Sequence, residues 1–402
     1  MRLATVMSAV TQNISEFSRS FKQSLFSLIF DVLGIFAGLL IAFQYQALGG
    51  IPWAFMLYPG ILSVRGVING IFSGKMSTGL HMGTIKPSFT GNTVYFKSIY
   101  SAMSVLTLIG GFFTGLMISL LSIIQIHYAN SLYILLAATA SLASSFAVIS
   151  PLTVFVSIIS YKLGLDPDYV VYPVMSTVAD ILATLCYVAI IQTVLTTGFL
   201  PLILVNTIYI IAITIIGKKF WDERAFQETI QESFITILIV TIIVMVTGSF
   251  LQEISNRIGR FDELYIIYPS LIDTVGDTGS IVGSMVTTRL ALGTLKPYIT
   301  SLKKLGMEVA GCWTASLTIF TLMSVTAVVF TGNHATFGTL TQITVTSNLI
   351  SVPLIISLSY IIAIKTYKKG LDPDNFVNPI ESTLADMITT SAIYLAALIA
   401  GI

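Results

Sequence analysis

Long apolar runs separated by short polar connections set the plan of this chain. The first 22 residues are polar and carry Arg2, Arg19 and Lys22. Apolar stretches follow at about 25–45 and 52–73. A long uncharged tract comes next, broken at His127-Tyr128-Ala129-Asn130, which reads as a hairpin turn between a third and a fourth run. A fifth run covers about 170–194, and a sixth opens at Pro201 and stops at Gly217-Lys218-Lys219. Five more fall at about 233–251, 264–286, 308–330, 337–364 and 376–401. A helix needs roughly 20 apolar residues to cross a bilayer. The pattern therefore predicts an all-α integral membrane protein with eleven spans. No cleavable signal peptide is evident, and the first span is expected to serve as the targeting signal.

The runs are organised as a duplication. Residues 161–180 read Y-K-L-G-L-D-P-D-Y-V-V-Y-P-V-M-S-T-V-A-D and residues 367–386 read Y-K-K-G-L-D-P-D-N-F-V-N-P-I-E-S-T-L-A-D, with 13 of 20 positions identical. Their offset is 386 − 180 = 206. Tyr58-Pro59 through Lys86-Pro87 aligns without a gap on Tyr268-Pro269 through Lys296-Pro297, at an offset of 210. A repeat this long is a duplicated domain, not a solenoid unit. The expected division is a cytoplasmic segment at 1–24, a five-helix repeat at 25–197, a linking helix and connection at 198–232, and a second five-helix repeat at 233–402.

Charge sets the expected orientation. With the N-terminus in the cytoplasm, the inner segments hold all of the 20 Lys and Arg residues except Arg65, Arg257 and Arg260, which is the positive-inside bias. Five spans leave the chain outside, so the unpaired sixth crossing returns it before the second repeat begins. The repeats are thus predicted to be parallel, related by a pseudo-two-fold axis along the membrane normal, with the C-terminus outside. The plasma membrane is the expected location, and a monomer acting as a fused pseudo-dimer is the expected state.

Composition narrows the classes. Hydrophobic residues make up 55% and charged residues 10%, against about 25% charged in soluble domains. A net charge of +1 gives no basic surface for nucleic acid, so the expected partners are the lipid bilayer and small solutes. Cys186 and Cys312 lie in apolar runs and suggest no disulfide framework. His81, His127 and His334 lie in connections without ligand spacing.

The candidate chemistry is acidic. On a helix, Pro173, Ser176, Thr177, Asp180 and Thr184 share one face, as do Pro379, Ser382, Thr383, Asp386 and Thr390. A carboxylate in the hydrocarbon costs at least about 2.5–3.5 kcal/mol and normally faces protein or water. Two repeat-related carboxylates with hydroxyls are hard oxygen ligands, suited to Mg²⁺ held largely through its waters. The bland alternative is that each Asp only fixes helix packing. Asp166-Pro167-Asp168 and Asp372-Pro373-Asp374 read as helix starts, or as an acidic ring at the cytoplasmic mouth. Asp273 and Asp277 stand where the first repeat has Ser63 and Val67, while Arg65 stands opposite Val275. Arg65 is expected to pair with Asp273 or Asp277, because an unpaired charge at that depth is costly. Asp31 and Glu381 occur in one repeat each; Asp31 could serve a pathway but reads first as a snorkelling or helix-paired acid, Glu381 as extra acidity beside Ser382.

These residues resemble the MgtE family of magnesium transporters and its eukaryotic solute-carrier relatives. The resemblance rests on Pro59-Gly60, Arg65-Gly66 and Ser77-Thr78-Gly79-Leu80-His81 with Gly83-Thr84, on D-T-V-G-D-T-G-S at 273–280, and on the paired D-P-D…P…S-T…A-D stretches. It covers both five-span units and is similar to the archaeal type with two fused units. It implies a pore between the units, lined by their second and fifth helices, with the ion at the fifth-helix aspartate, here Asp180 and Asp386. The metal set expected on this basis is Asp180, Asp386, Ser176, Thr177, Ser382, Thr383, Asp273 and Asp277. The family's bacterial members carry a cytosolic CBS-domain sensor, for which 22 polar residues leave no room.

The expected function is transport of a divalent cation, Mg²⁺ first, with Mn²⁺ and Co²⁺ as alternatives. A secondary transporter of an organic solute, coupled to H⁺ or Na⁺ through the same aspartates, is the second reading. An enzyme is not expected. Val275-Gly276-Asp277 invites comparison with intramembrane aspartyl proteases, but G-x-G-D needs glycine where Thr274 stands, and there is no H-E-x-x-H.

Overall fold

A computed structural model of the protein describes residues 2–128, 130–163, 167–258, 261–291, 293–369 and 374–401. It is built of helices: α1 (Arg2–Leu28), α2 (Ile35–Phe43), α3 (Tyr45–Gly49), α4 (Ala54–His81), α5 (Val94–Ile126), α6 (Ser131–Lys162), α7 (Pro167–Thr197), α8 (Leu200–Phe220), α9 (Arg224–Ile258), α10 (Asp262–Ala291), α11 (Gly306–Thr331), α12 (Phe337–Lys368) and α13 (Asp374–Ile399). A 3₁₀ stretch, Ile29–Gly34, joins α1 to α2. Among the described residues ten helices are long and apolar enough to cross a membrane. The expected span at 264–286 lies in α10, 30 residues long. Asp273, Asp277 and the small polar residues around them keep α10 outside those ten.

Local chemistry explains the boundaries. Thr93 caps α5 by accepting a hydrogen bond from the Phe96 amide at 3.2 Å. The turn before it is tied by Asn92, whose amide donates to the carbonyls of Lys86 and Ser88 at 3.0 and 3.1 Å. His127 closes α5 in the left-handed region at φ 55°, as the expected hairpin requires. Gly83 and Gly293, 210 apart, end α4 and α10 at φ 72° and 68°, a conformation that favours glycine.

Contacts group the chain into two units. One comprises Leu39–Arg260, and the other Met1–Gly38 with Phe261–Ile402. In the first, α4 is the central helix: 83% of its most apolar window is buried, against 22% for α8. The outer face of α8 shows Leu200, Leu204, Ile208 and Ile211, as a lipid-facing helix should. α9 packs on α4 and α5 in this unit, where Gly248 lies against the Met56 carbonyl. Pro59, inside α4, leaves the carbonyl four residues earlier without its helical donor. The glycine meets the helix beside that irregular turn.

In the other unit α1 packs on α11 and, with the 3₁₀ stretch, on α10. Gly311 lies against the Phe17 carbonyl, and Ser20 donates to the Glu308 carbonyl at 2.7 Å. Gly38 lies against the Ile266 carbonyl, three residues before Pro269. The two close approaches are repeat equivalents, since 248 − 38 and 266 − 56 are both 210. Each unit therefore takes its first helix from one sequence repeat and its other repeated helices from the other repeat.

Candidate functional site

The same helix pair recurs in each unit. In the first, the Tyr58 hydroxyl on α4 and the Thr184 hydroxyl on α7 are hydrogen-bonded at 3.0 Å. In the other, Tyr268 on α10 and Thr390 on α13 are bonded at 2.8 Å. Thr390 spends its own proton on the Asp386 carbonyl at 2.7 Å, so the tyrosine is the donor there. These bonds join aligned residues. The correspondence of second and fifth helices is thus one of geometry as well as sequence.

Around α4 and α7 the site is a buried ion pair. Arg65 pairs with Asp180, their side chains 8% and 4% exposed. Thr177 is buried and Ser176 half-buried on the preceding turn. Sequence reasoning looked for the partner of Arg65 at Asp273 or Asp277; the ion pair found is with Asp180, on a helix packed against α4 within the same unit. An Arg–carboxylate pair removed from water holds together strongly once formed, because either charge alone would be left uncompensated. Beside it lies a small cavity lined by Arg65, Asn69, Phe72, Thr107, Phe146 and Ser150, among others.

Around α10 and α13 the site is a collection of acids. Asp273 and Asp277 are half-buried, one turn apart on α10. α10 meets α13 through small residues: a side chain at Gly276 would touch Ala385, and one at Gly279 would strike Glu381. Glu381 is 1% exposed and accepts a long hydrogen bond from Ser280 at 3.4 Å. Its Oε1 has no hydrogen-bond partner among the described residues. Thr383 is buried, while Ser382 and Asp386 are half-buried on α13.

A further acid of this unit is Asp31, which the sequence offers without a partner helix. It stands on the 3₁₀ stretch after α1 and is 4% exposed. The packing brings it within hydrogen-bonding reach of Thr274 and Asp277 on α10, and its Oδ2 has no partner among the described residues. Its distance from α10 in sequence hid it. The only available signal was an acid without a counterpart in the other repeat, where Thr241 stands.

Among the described residues no three His, Cys, Asp or Glu side chains are placed to hold a metal ion directly. The arrangement suits a cation that keeps its waters and meets carboxylates and hydroxyls through them, as Mg²⁺ does. The acidic ring expected from Asp166, Asp168, Asp372 and Asp374 lies outside the described residues or their side chains.

A family model described as MgtE, divalent cation transporter, matches residues 58–190 and again residues 268–396. No curated protein and no solved structure matches the chain.

Proposed function

The chain belongs to the MgtE family of divalent cation transporters, and from that premise we propose that its cargo is Mg²⁺, met by the carboxylates along α10 and α13. The observation that carries this reading is Asp273 and Asp277 on a helix packed through Gly276 and Gly279 onto α13, which bears Ser382, Thr383 and Asp386. These groups offer only carboxylate and hydroxyl oxygen. Carboxylate and hydroxyl oxygen suits hydrated Mg²⁺ and also Mn²⁺, so Mn²⁺, and Co²⁺ after it, are expected to compete at the same groups. Asp180, Ser176 and Thr177 hold the aligned positions in the other repeat, where Asp180 is paired with Arg65.

The protein is a multi-pass membrane protein. In our reading α10 is its eleventh crossing, with its acids turned to protein or water, since lipid would not tolerate them. The distribution of Lys and Arg supports an N-terminus in the cytoplasm and a C-terminus outside. One chain then acts as a fused pseudo-dimer in the plasma membrane.

The test is uptake into proteoliposomes loaded with a Mg²⁺ indicator. Mg²⁺ entry that needs no organic solute is expected, with inhibition by Mn²⁺, which suits the same oxygen ligands. Correctly inserted protein that moves no Mg²⁺, or moves it only with an organic solute present, would overturn the reading.

A further inference from the structure

The two units pair the same helices but differ in charge. In the unit of α4 and α7 the fifth-helix aspartate, Asp180, is held by Arg65. In the unit of α10 and α13 the place aligned with Arg65 is Val275, fully buried. The contrast extends to four other acids of that unit. Asp31, Asp273, Asp277 and Glu381 align with Thr241, Ser63, Val67 and Met175. One unit has gathered carboxylates; among the described residues of the other, one buried carboxylate, Asp180, stands beside a cation of its own.

We infer that Arg65 is a built-in counter-cation that withdraws Asp180 from ion binding, so that the transported ion is met by the carboxylates of the α10–α13 unit alone. This rests on the reading that the chain carries Mg²⁺. The physical argument is exclusion. A guanidinium is always protonated and matches a carboxylate with two parallel donors. Both partners here are almost out of contact with solvent. A divalent ion approaching Asp180 would have to displace Arg65 and leave its charge without a carboxylate, because the cavity beside it is lined by apolar side chains with Asn69, Thr107 and Ser150 and by no acid. Near Asp31, Asp273 and Asp277 an incoming cation instead lowers the repulsion among acids. The hydrated ion has one favourable place and one already filled.

The pair could instead serve only to weld α4 to α7, with Asp180 still taking the ion. Flux separates these roles. In proteoliposomes containing a Mg²⁺ indicator, Asp386→Asn is expected to lose at least about tenfold in Mg²⁺ uptake, the least that loss of an outer partner costs a metal site. The neutral double variant Arg65→Met/Asp180→Asn is expected to run close to the wild-type rate. The charge-swapped double variant Arg65→Asp/Asp180→Arg, which keeps the pair, serves if the neutral one fails to insert. Insertion is checked by size exclusion and by the melting temperature in detergent.

A correctly inserted double variant that has lost uptake would overturn the inference, as would Asp386→Asn transporting at the wild-type rate. Val275→Arg supplies the converse: a second tethered cation should suppress uptake, while Val275→Leu should not. A well-folded Val275→Arg protein with normal uptake would count against the inference. Absence of Mg²⁺ uptake by the wild type is a different result. It would remove the transport reading, and this inference with it.

Discussion

Gly248 on α9 rests directly on the carbonyl oxygen of Met56 on α4, with no room between them for a methyl group. Gly38 and the Ile266 carbonyl stand in the same relation in the other unit. The obstacle in both cases is backbone, which cannot rotate away as a side chain can. Such contacts let membrane helices approach closely, where packing replaces the hydrophobic effect as the source of association. Both contacts sit beside a helix proline, Pro59 or Pro269.

Alanine at either glycine is therefore expected to destabilise. Overpacking typically costs about 1–3 kcal/mol, and an immovable backbone puts Gly38→Ala and Gly248→Ala at or above the top of that range. Gly74 on α4 has nothing within 4 Å of its added Cβ, so Gly74→Ala should be neutral or stabilising by about 0.5–1 kcal/mol. Melting temperatures in one detergent, compared across the three variants, check the ordering. Equal behaviour would mean that α2 and α9 do not pack as described.

The Arg65–Asp180 pair makes a second prediction, in stability. Removing one partner of a buried pair leaves a bare charge and typically costs about 3–5 kcal/mol. Arg65→Met and Asp180→Asn should each lower the melting temperature sharply. The double variant should recover most of the loss, because no charge remains to be compensated. A double-mutant cycle with no coupling between the two would show that they do not interact.

The tyrosine–threonine bonds predict matched effects in the two units. Tyr58→Phe and Tyr268→Phe each delete one buried hydroxyl from bonds of 3.0 and 2.8 Å. The net loss for one such hydrogen bond is about 0.5–1.5 kcal/mol. Comparable drops in stability are expected, with Tyr268→Phe the larger because Thr390 has given its proton to the Asp386 carbonyl and can only accept. Opposite signs for the two variants would break the equivalence of the helix pairs.

Much of this was legible in the chain. The apolar runs gave the helices, and the constant offsets gave the duplication, because period and length are local properties. The turn at His127 was readable for the same reason. Two things were not readable, and both concern partners. An offset shows that α1 and α9 are equivalent, but it is blind to which set of helices each packs against. Either choice leaves the hydrophobic pattern unchanged. Hence the sequence leaves open which helix Asp31 meets, and packing sets it against Thr274 and Asp277. Arg65 was likewise known to need a carboxylate. Asp180, on a helix more than 100 residues away, was reserved in the sequence for the ion. The packing of α4 on α7 is what sets Arg65 beside Asp180.

Asp31 supports the last prediction. It brings a third carboxylate to Asp273 and Asp277, and its burial at 4% exposure leaves little water to screen the repulsion. Like charges held together in a low dielectric raise the energy of the empty site. A cation relieves that energy, so the same strain that weakens the ion-free protein strengthens its grip on the ion. Asp31→Asn keeps the shape and removes one charge. The ion-free variant is expected to melt above the ion-free wild type. Added Mg²⁺ should then raise its melting temperature less, because stabilisation by a ligand follows its affinity. The Mg²⁺ concentration for half-maximal uptake should rise by roughly tenfold or more, the scale of losing a supporting group at a metal site. Thermal melts with and without Mg²⁺ read the first two effects, and indicator uptake reads the third. If Mg²⁺ protects Asp31→Asn as well as it protects the wild type, Asp31 is a packing residue that the ion does not feel.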